Sequence, residues 1–179
     1  EGRLNLSEIE SIIDERSAVV ALTHQSNVTG AITEVAKISK RVRAVGSIFV
    51  LDACQSVPHT TVNVAQLDID FLAFSGHKAL GPTGVGVLWG KYGLLEKMPP
   101  MLTGGSMIDS ATISTAVFAL PPKRFEAGVP NMAQAIGLGA AIDYLQKVGM
   151  SEIANHEHRL TERALDGLTK VPGLTVIGP

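Results

Sequence analysis

The sequence of 179 residues predicts an α/β domain: a mostly parallel sheet with helices on both faces. Two observations predict it. Short runs that are apolar on both faces alternate with stretches of helical periodicity, which is the pattern of a buried parallel sheet. The composition agrees, with 45% hydrophobic residues, only 4% aromatic residues and 18 glycines. Small side chains packed between layers fit those proportions.

The elements follow in order. Ser7-Glu8-Ile9-Glu10 has the capping-box pattern, with Leu6, Ile9, Ile12 and Ile13 on one helical face. Ala18 to Thr23 reads as a buried strand. Thr33 to Val45 reads as a helix with Ile32, Val35, Ala36, Ile38 and Val42 on one side, stopped by Gly46. Ile48 to Leu51 is a second strand ending at Asp52, Phe71 to Phe74 a third, and Val85 to Trp89 a fourth. Lys97 to Pro122 lacks periodicity, and a loop that long is usually functional or mobile. Met132 to Val148 reads as a long helix closed by Gly149, and Ser151 to Leu168 as a more polar one. Thr175 to Pro179 looks like a strand cut short.

Charge and length bound the function. Charged residues make up 18% and the net charge is −2, which argues against disorder and against a basic nucleic-acid surface. Lys37, Lys40, Arg41 and Arg43 read as a solvated helix face. No apolar run approaches the roughly 18 residues of a membrane span. One cysteine excludes an internal disulfide framework and fits a reducing compartment, so the expected location is cytoplasmic. The chain starts at Glu1 with no leader pattern. With its abrupt end, this leads to the expectation of a piece of a longer protein.

In a parallel sheet, ligands bind beyond the carboxyl ends of the strands. Three consecutive strands deliver polar groups there: Thr23 to Gly30, Asp52 to Gln55, and Ser75 to Gly84. Any one of these stretches also reads as a capped polar turn. Lys78 stands in an uncharged setting, Phe74-Ser75-Gly76-His77-Lys78-Ala79-Leu80-Gly81, with Asp70 and Lys91 as its nearest charged neighbours in sequence. A lysine in such a turn can condense with an aldehyde; the alternative is a solvated surface lysine. Asp52 lies one strand interval earlier. Pyridoxal phosphate needs these groups: an amine for its aldehyde, a carboxylate for its ring nitrogen, and hydroxyl, imidazole and N–H donors for its phosphate. Ser75 and His77 precede the lysine. His156 and His158 are two residues apart on a helix and do not share a face, and no metal-ligand spacing occurs elsewhere.

Five ordered segments then carry a resemblance. They are HQSNVTG (24–30), DACQSVPH (52–59), DFLAFSGHKALGPTGVGVLWG (70–90), GGSMI (104–108) and RFEAGVPN (124–131). With them the sequence resembles pyridoxal-phosphate enzymes of the class V aminotransferase fold, and among those the cysteine desulfurases of the SufS type, selenocysteine lyases included. The resemblance implies the large-domain core of the aspartate aminotransferase-like fold (fold type I). Residues 1–148 would be the central part of that cofactor-binding domain and 149–179 the start of a small C-terminal domain.

It also implies roles. Lys78 would bind the cofactor aldehyde and move protons at the substrate α-carbon, and Asp52 would pair with the ring nitrogen. Gln55 would hydrogen-bond the ring's phenolic oxygen, with Asn27 near that oxygen and the substrate carboxylate. Ser75 and His77 would bind the phosphate, and Gly128 and Val129 would reach the phosphate of the partner subunit in a homodimer. Members usually carry Thr where Val129 stands, and Gly-Ala where Ala53 and Cys54 stand. Cys54 therefore reads as a small buried residue and not as the sulfur-accepting cysteine.

The activity implied is conversion of L-cysteine to L-alanine, with sulfur passed as a persulfide to an acceptor protein for iron–sulfur cluster assembly. The persulfide-forming cysteine, a carboxylate-binding arginine, a ring-stacking histidine and a phosphate-binding threonine would lie outside the 179 residues. The chain alone is accordingly expected to be inactive. The rival readings are a selenocysteine lyase, an aminotransferase or kynureninase of the same fold, or an incomplete chain that only binds a partner.

Overall fold

The computed structural model describes residues 2–179. Its sheet runs in chain order: β1 (Val19–Thr23), β2 (Ile48–Asp52) and β3 (Phe71–Ser75) are parallel, and β4 (Gly86–Gly90) is antiparallel to β3. A parallel return needs a crossover of about a dozen residues or more. Only residues 76–85 separate β3 from β4, so the fourth strand comes back antiparallel.

Between β1 and β2 runs α2 (Val35–Val45), which follows the short α1 (Ile9–Ile12). In α2, Val35, Ile38, Ser39 and Val42 are buried, the i, i+3, i+4, i+7 stripe of an amphipathic helix. Gly46 ends it at φ +74, with its N–H donating to the carbonyls of Arg43 and Val42. The helix begins two residues later than its periodicity suggests. Thr33 is engaged elsewhere: its N–H donates to His24 O (2.8 Å) and its Oγ1 to Thr23 O (2.7 Å).

The capping box before α1 does not form. Glu8 stands at the N-cap without a side-chain bond, and the Ser7 N–H donates to Asn5 Oδ1 (3.0 Å). Ile13 packs in the core while Ile12 is exposed. Two single-turn helices, α3 (Val64–Leu67) and α4 (Tyr92–Leu95), and a hairpin of β5 (Ile108–Ala111) with β6 (Ala116–Phe118) were not legible as periodicity. Asn63 Oδ1 caps α3 by accepting from the N–H groups of Ala65 and Gln66. The long helices α5 (Met132–Val148) and α6 (Met150–Leu168) meet at Gly149, φ +93. The final strand does not form, because Thr175 to Pro179 has no paired neighbour among the described residues.

Phe49, Leu51 and Ala53 are fully buried against Val35, Ile38 and Val42 of α2, and Leu51 pairs with Leu72 of β3 on that same face. Leu145 of α5 closes toward Leu72, Phe74 and Trp89 from the same side. On the opposite face Val19, Ala21 and Leu88 are exposed. Helices on both faces were expected; among the described residues the second face meets α4, whose Leu95 lies against Gly90, but no long helix covers it.

At the amino end of β3, Asp70 is buried. Its Oδ2 accepts from Arg43 Nη1 and from the Phe49 N–H, both at 2.8 Å, and Lys91 Nζ stands 3.0 Å from Oδ1. Arg43 also reaches Asp68 (3.2 Å), and Arg41 donates to Ile13 O (2.7 Å). Those two arginines of the expected solvated face thus tie α2 to its surroundings.

Candidate active site at the carboxyl rim

Register sets the rim. Thr23 pairs with Asp52, and Asp52 with Ala73, so β1 and β2 end side by side and β3 runs two residues further. Side chains alternate along a strand. Leu51 and Leu72 face the packed side; Asp52, Ala73 and Ser75 therefore share the other, more open face. Strands about 4.8 Å apart and a rise of about 3.3 Å per residue keep Asp52 and Ser75 within one small ligand's reach.

Asp52 is exposed, and its Oδ1 accepts the Cys54 N–H at 2.9 Å. That bond holds the carboxylate over its own turn. Gln55 and Cys54 are half-buried, so Cys54 is less enclosed than the sequence suggests. Asn27 is exposed on the loop after β1. This loop is held by Ser26 N–H to Ala31 O (2.9 Å) and by an antiparallel bridge of Gln25 with Ile32.

Immediately after β3 the chain enters a 3-10 turn, Gly76–Ala79, which carries His77 and Lys78. Both are exposed. The turn is tightly seated. Its Gly76 N–H donates to Val85 O (2.8 Å), and Gly81 N–H donates to Gly76 O (3.0 Å). A Cβ on Gly76 would stand 2.9 Å from Val85 O, and one on Gly81 2.9 Å from Gly76 O and Leu138 Cδ1. Leu80 closes the turn at φ +61, a left-handed conformation that costs a side-chain-bearing residue about 1–2 kcal/mol. Close packing by Val85 and Leu138 thus defines where the Lys78 backbone sits.

Ser75 has a buried Oγ with no hydrogen-bond partner among the described residues. A buried hydroxyl left unpaired costs about 1–3 kcal/mol. It stands one residue before the Lys78 turn, on the face it shares with Asp52.

Gly128 and Val129 are not joined to this group. The Gly128 N–H donates to Gly105 O (2.8 Å), which links the two glycine-containing segments 104–108 and 124–131. Val129 is exposed beside a cleft of about 530 Å³ lined also by Gly84 and Asn131. Asn131 Nδ2 donates to Gly84 O (2.8 Å) and fixes the start of α5 to the turn before β4.

His59 Nδ1 lies 2.8 Å from Glu157 Oε1, which ties α6 to the turn after β2. His24 is buried against Ser56, a pairing that no spacing announces because the two residues lie on different loops. No group of three or more His, Cys, Asp or Glu among the described residues could hold a metal ion. No helix of the described residues is long and apolar enough to cross a membrane.

The family model described as Aminotransferase class-V matches residues 1–179. A probable cysteine desulfurase of Streptomyces coelicolor is 49% identical over the whole chain, which covers 43% of that relative. A cysteine desulfurase of Pectobacterium carotovorum is 44% identical over 180 aligned residues, 44% of its length. The crystal structure of a cysteine desulfurase from Escherichia coli superposes with a TM-score of 0.91 at 39% identity, over 94% of this chain and 42% of that one. The apo structure of a cysteine desulfurase from Thermococcus onnurineus gives 0.90 at 40% identity, over 97% and 49%. The chain thus spans less than half the length of these relatives.

Proposed function

This chain belongs to the aminotransferase class-V family, and from that membership we propose that the protein it forms part of is a pyridoxal-phosphate-dependent cysteine desulfurase. It would convert L-cysteine to L-alanine and pass the sulfur on. One observation carries the reading: Asp52 and Ser75 share the open face of the rim, and the Lys78 turn follows directly.

The residues present fit the cofactor. The orphaned Ser75 hydroxyl is a donor awaiting an acceptor, as a phosphate oxygen would be. Lys78 would hold the aldehyde, Asp52 the ring nitrogen, and Ser75 with His77 the phosphate. Gln55 would bond the ring oxygen, and Asn27 would stand near that oxygen and the substrate carboxylate. Gly128 and Val129 would serve the phosphate of a partner subunit in a homodimer. When bound, pyridoxal phosphate supplies an electron sink at the substrate α-carbon.

The chain's own groups do the rest. The Asp52 carboxylate would hold a proton on the cofactor's ring nitrogen. The Lys78 amine would move the α-proton of L-cysteine at Nζ. Cys54 is the one cysteine of the sequence, and its N–H is engaged with Asp52. The sulfur would pass to a cysteine thiol as a persulfide, then to an acceptor protein in cytoplasmic iron–sulfur cluster assembly. Residues 1–148 would belong to the cofactor domain and 149–179 to the next.

The test uses the full protein. Lys78→Ala is expected to abolish the visible absorbance of lysine-bound cofactor and to reduce alanine release from L-cysteine by about three orders of magnitude or more, as loss of a covalent-catalysis lysine does. Alanine release at the unmodified rate would refute the role of Lys78.

A further inference from the structure

His24 is a buried titratable group that the proposed chemistry does not use. It follows Thr23 at the end of β1, so its side chain turns to the packed face while Asp52 stays on the open one. Its Nδ1 and the hydroxyl of Ser56 share a hydrogen bond of 2.9 Å, and Ser56 is 1% exposed. Ser56 is bound back into the turn through its N–H and its Oγ, which lie 3.1 and 3.3 Å from Ala53 O. From the other side, the His24 N–H donates to Asp52 O at 2.8 Å. The histidine thus holds the Asp52–Ser56 turn by its backbone at one end and its ring at the other. Burial pushes its pKa below the ordinary value of 6.5, so the ring is neutral near pH 7 and the bond to Ser56 involves no charge.

We propose that His24, through Ser56, is a positioning residue for the Asp52 carboxylate and hence for the ring nitrogen of the cofactor. The proposal rests on the role given to Asp52 above. The carboxylate is anchored within the same turn, by the Cys54 N–H, so a turn that swings away from β1 carries Asp52 with it. An apolar residue at position 24 would fill the space without fixing the turn.

The experiment is a titration of the full protein, stripped of cofactor, with pyridoxal phosphate, read by visible absorbance and dissociation constant. His24→Ala and Ser56→Ala are each expected to weaken binding about fivefold, the worth of one ordinary hydrogen bond, whereas His24→Asn, which keeps a polar group near Nδ1, stays within about twofold. The double variant should lose no more than either single one. In an Asp52→Ala background, neither change should weaken binding further. Unchanged binding in Ser56→Ala, or losses that add fully to that of Asp52→Ala, would overturn the proposal. If Asp52→Ala alone leaves binding and absorbance unaltered, the role of Asp52 itself is refuted and the proposal falls with it.

Discussion

At the scale of single residues, Asp70 is the buried carboxylate among the described residues. Burial alone would raise its pKa. The Arg43 hydrogen bond, the Phe49 N–H and Lys91 outweigh that and hold it below the ordinary 3.8. Asp70 in turn raises the pKa of Arg43. A carboxylate depressed in the folded state contributes stability that is present above pH 3.8 and is lost as pH falls through the folded value. Asp70→Ala strips three donors of their acceptor and is expected to cost about 3 kcal/mol, read as a lower urea midpoint at pH 7. The same variant should flatten the acid limb of the stability curve. A midpoint unchanged by the substitution would contradict the assignment. The pairing of Asp70 with Arg43 was not legible in sequence, since 27 residues of chain separate them. His24 with Ser56 was hidden for the same reason. Both pairs exist only because the fold brings segments distant in sequence together.

At the scale of elements, the turn bearing Lys78 is the most constrained piece of backbone. Gly76 and Gly81 leave room for Val85 O and for Leu138 of α5. Gly81→Ala forces a methyl group against a carbonyl and a packed leucine, and should destabilise by about 1–3 kcal/mol. Leu138→Ala opens a cavity beneath the turn and should cost about 2–5 kcal/mol. Both variants should also weaken cofactor binding in a titration, because the turn loses its seat. Normal cofactor affinity in Leu138→Ala would mean that α5 does not brace Lys78. Elements driven by their own periodicity were readable. Met132–Val148 was closed at Gly149, and the end of α2 at Gly46. Elements that depend on partners were not. The β5–β6 hairpin and the two single-turn helices have too few residues to show a period, and Thr175 to Pro179 lacks a neighbour to pair with.

At the scale of the whole molecule, the open sheet face and the rim are one region. Asp52 and Ser75 lie on the same side as the exposed Val19, Ala21 and Leu88. The apolar character of that side is why the sequence suggested a second helical layer. The chain covers 43% of the Streptomyces coelicolor relative, so more than half of such a protein lies beyond the residues described. The lysine, the aspartate and the serine of the candidate site were readable because short motifs at strand ends survive without their surroundings. The position of Gly128 beside Gly105 could not be read, since it depends on how two loops meet. The 179 residues alone are expected to release no alanine from L-cysteine, and measurable release would show that the rim is sufficient.

Reduction of the full protein with borohydride, followed by digestion and mass spectrometry, is the most direct test of the covalent site. A pyridoxyl phosphate adduct on the peptide carrying Lys78, absent from Lys78→Ala, is the result this account predicts. An adduct on another lysine, with the Lys78 peptide unmodified, would contradict it.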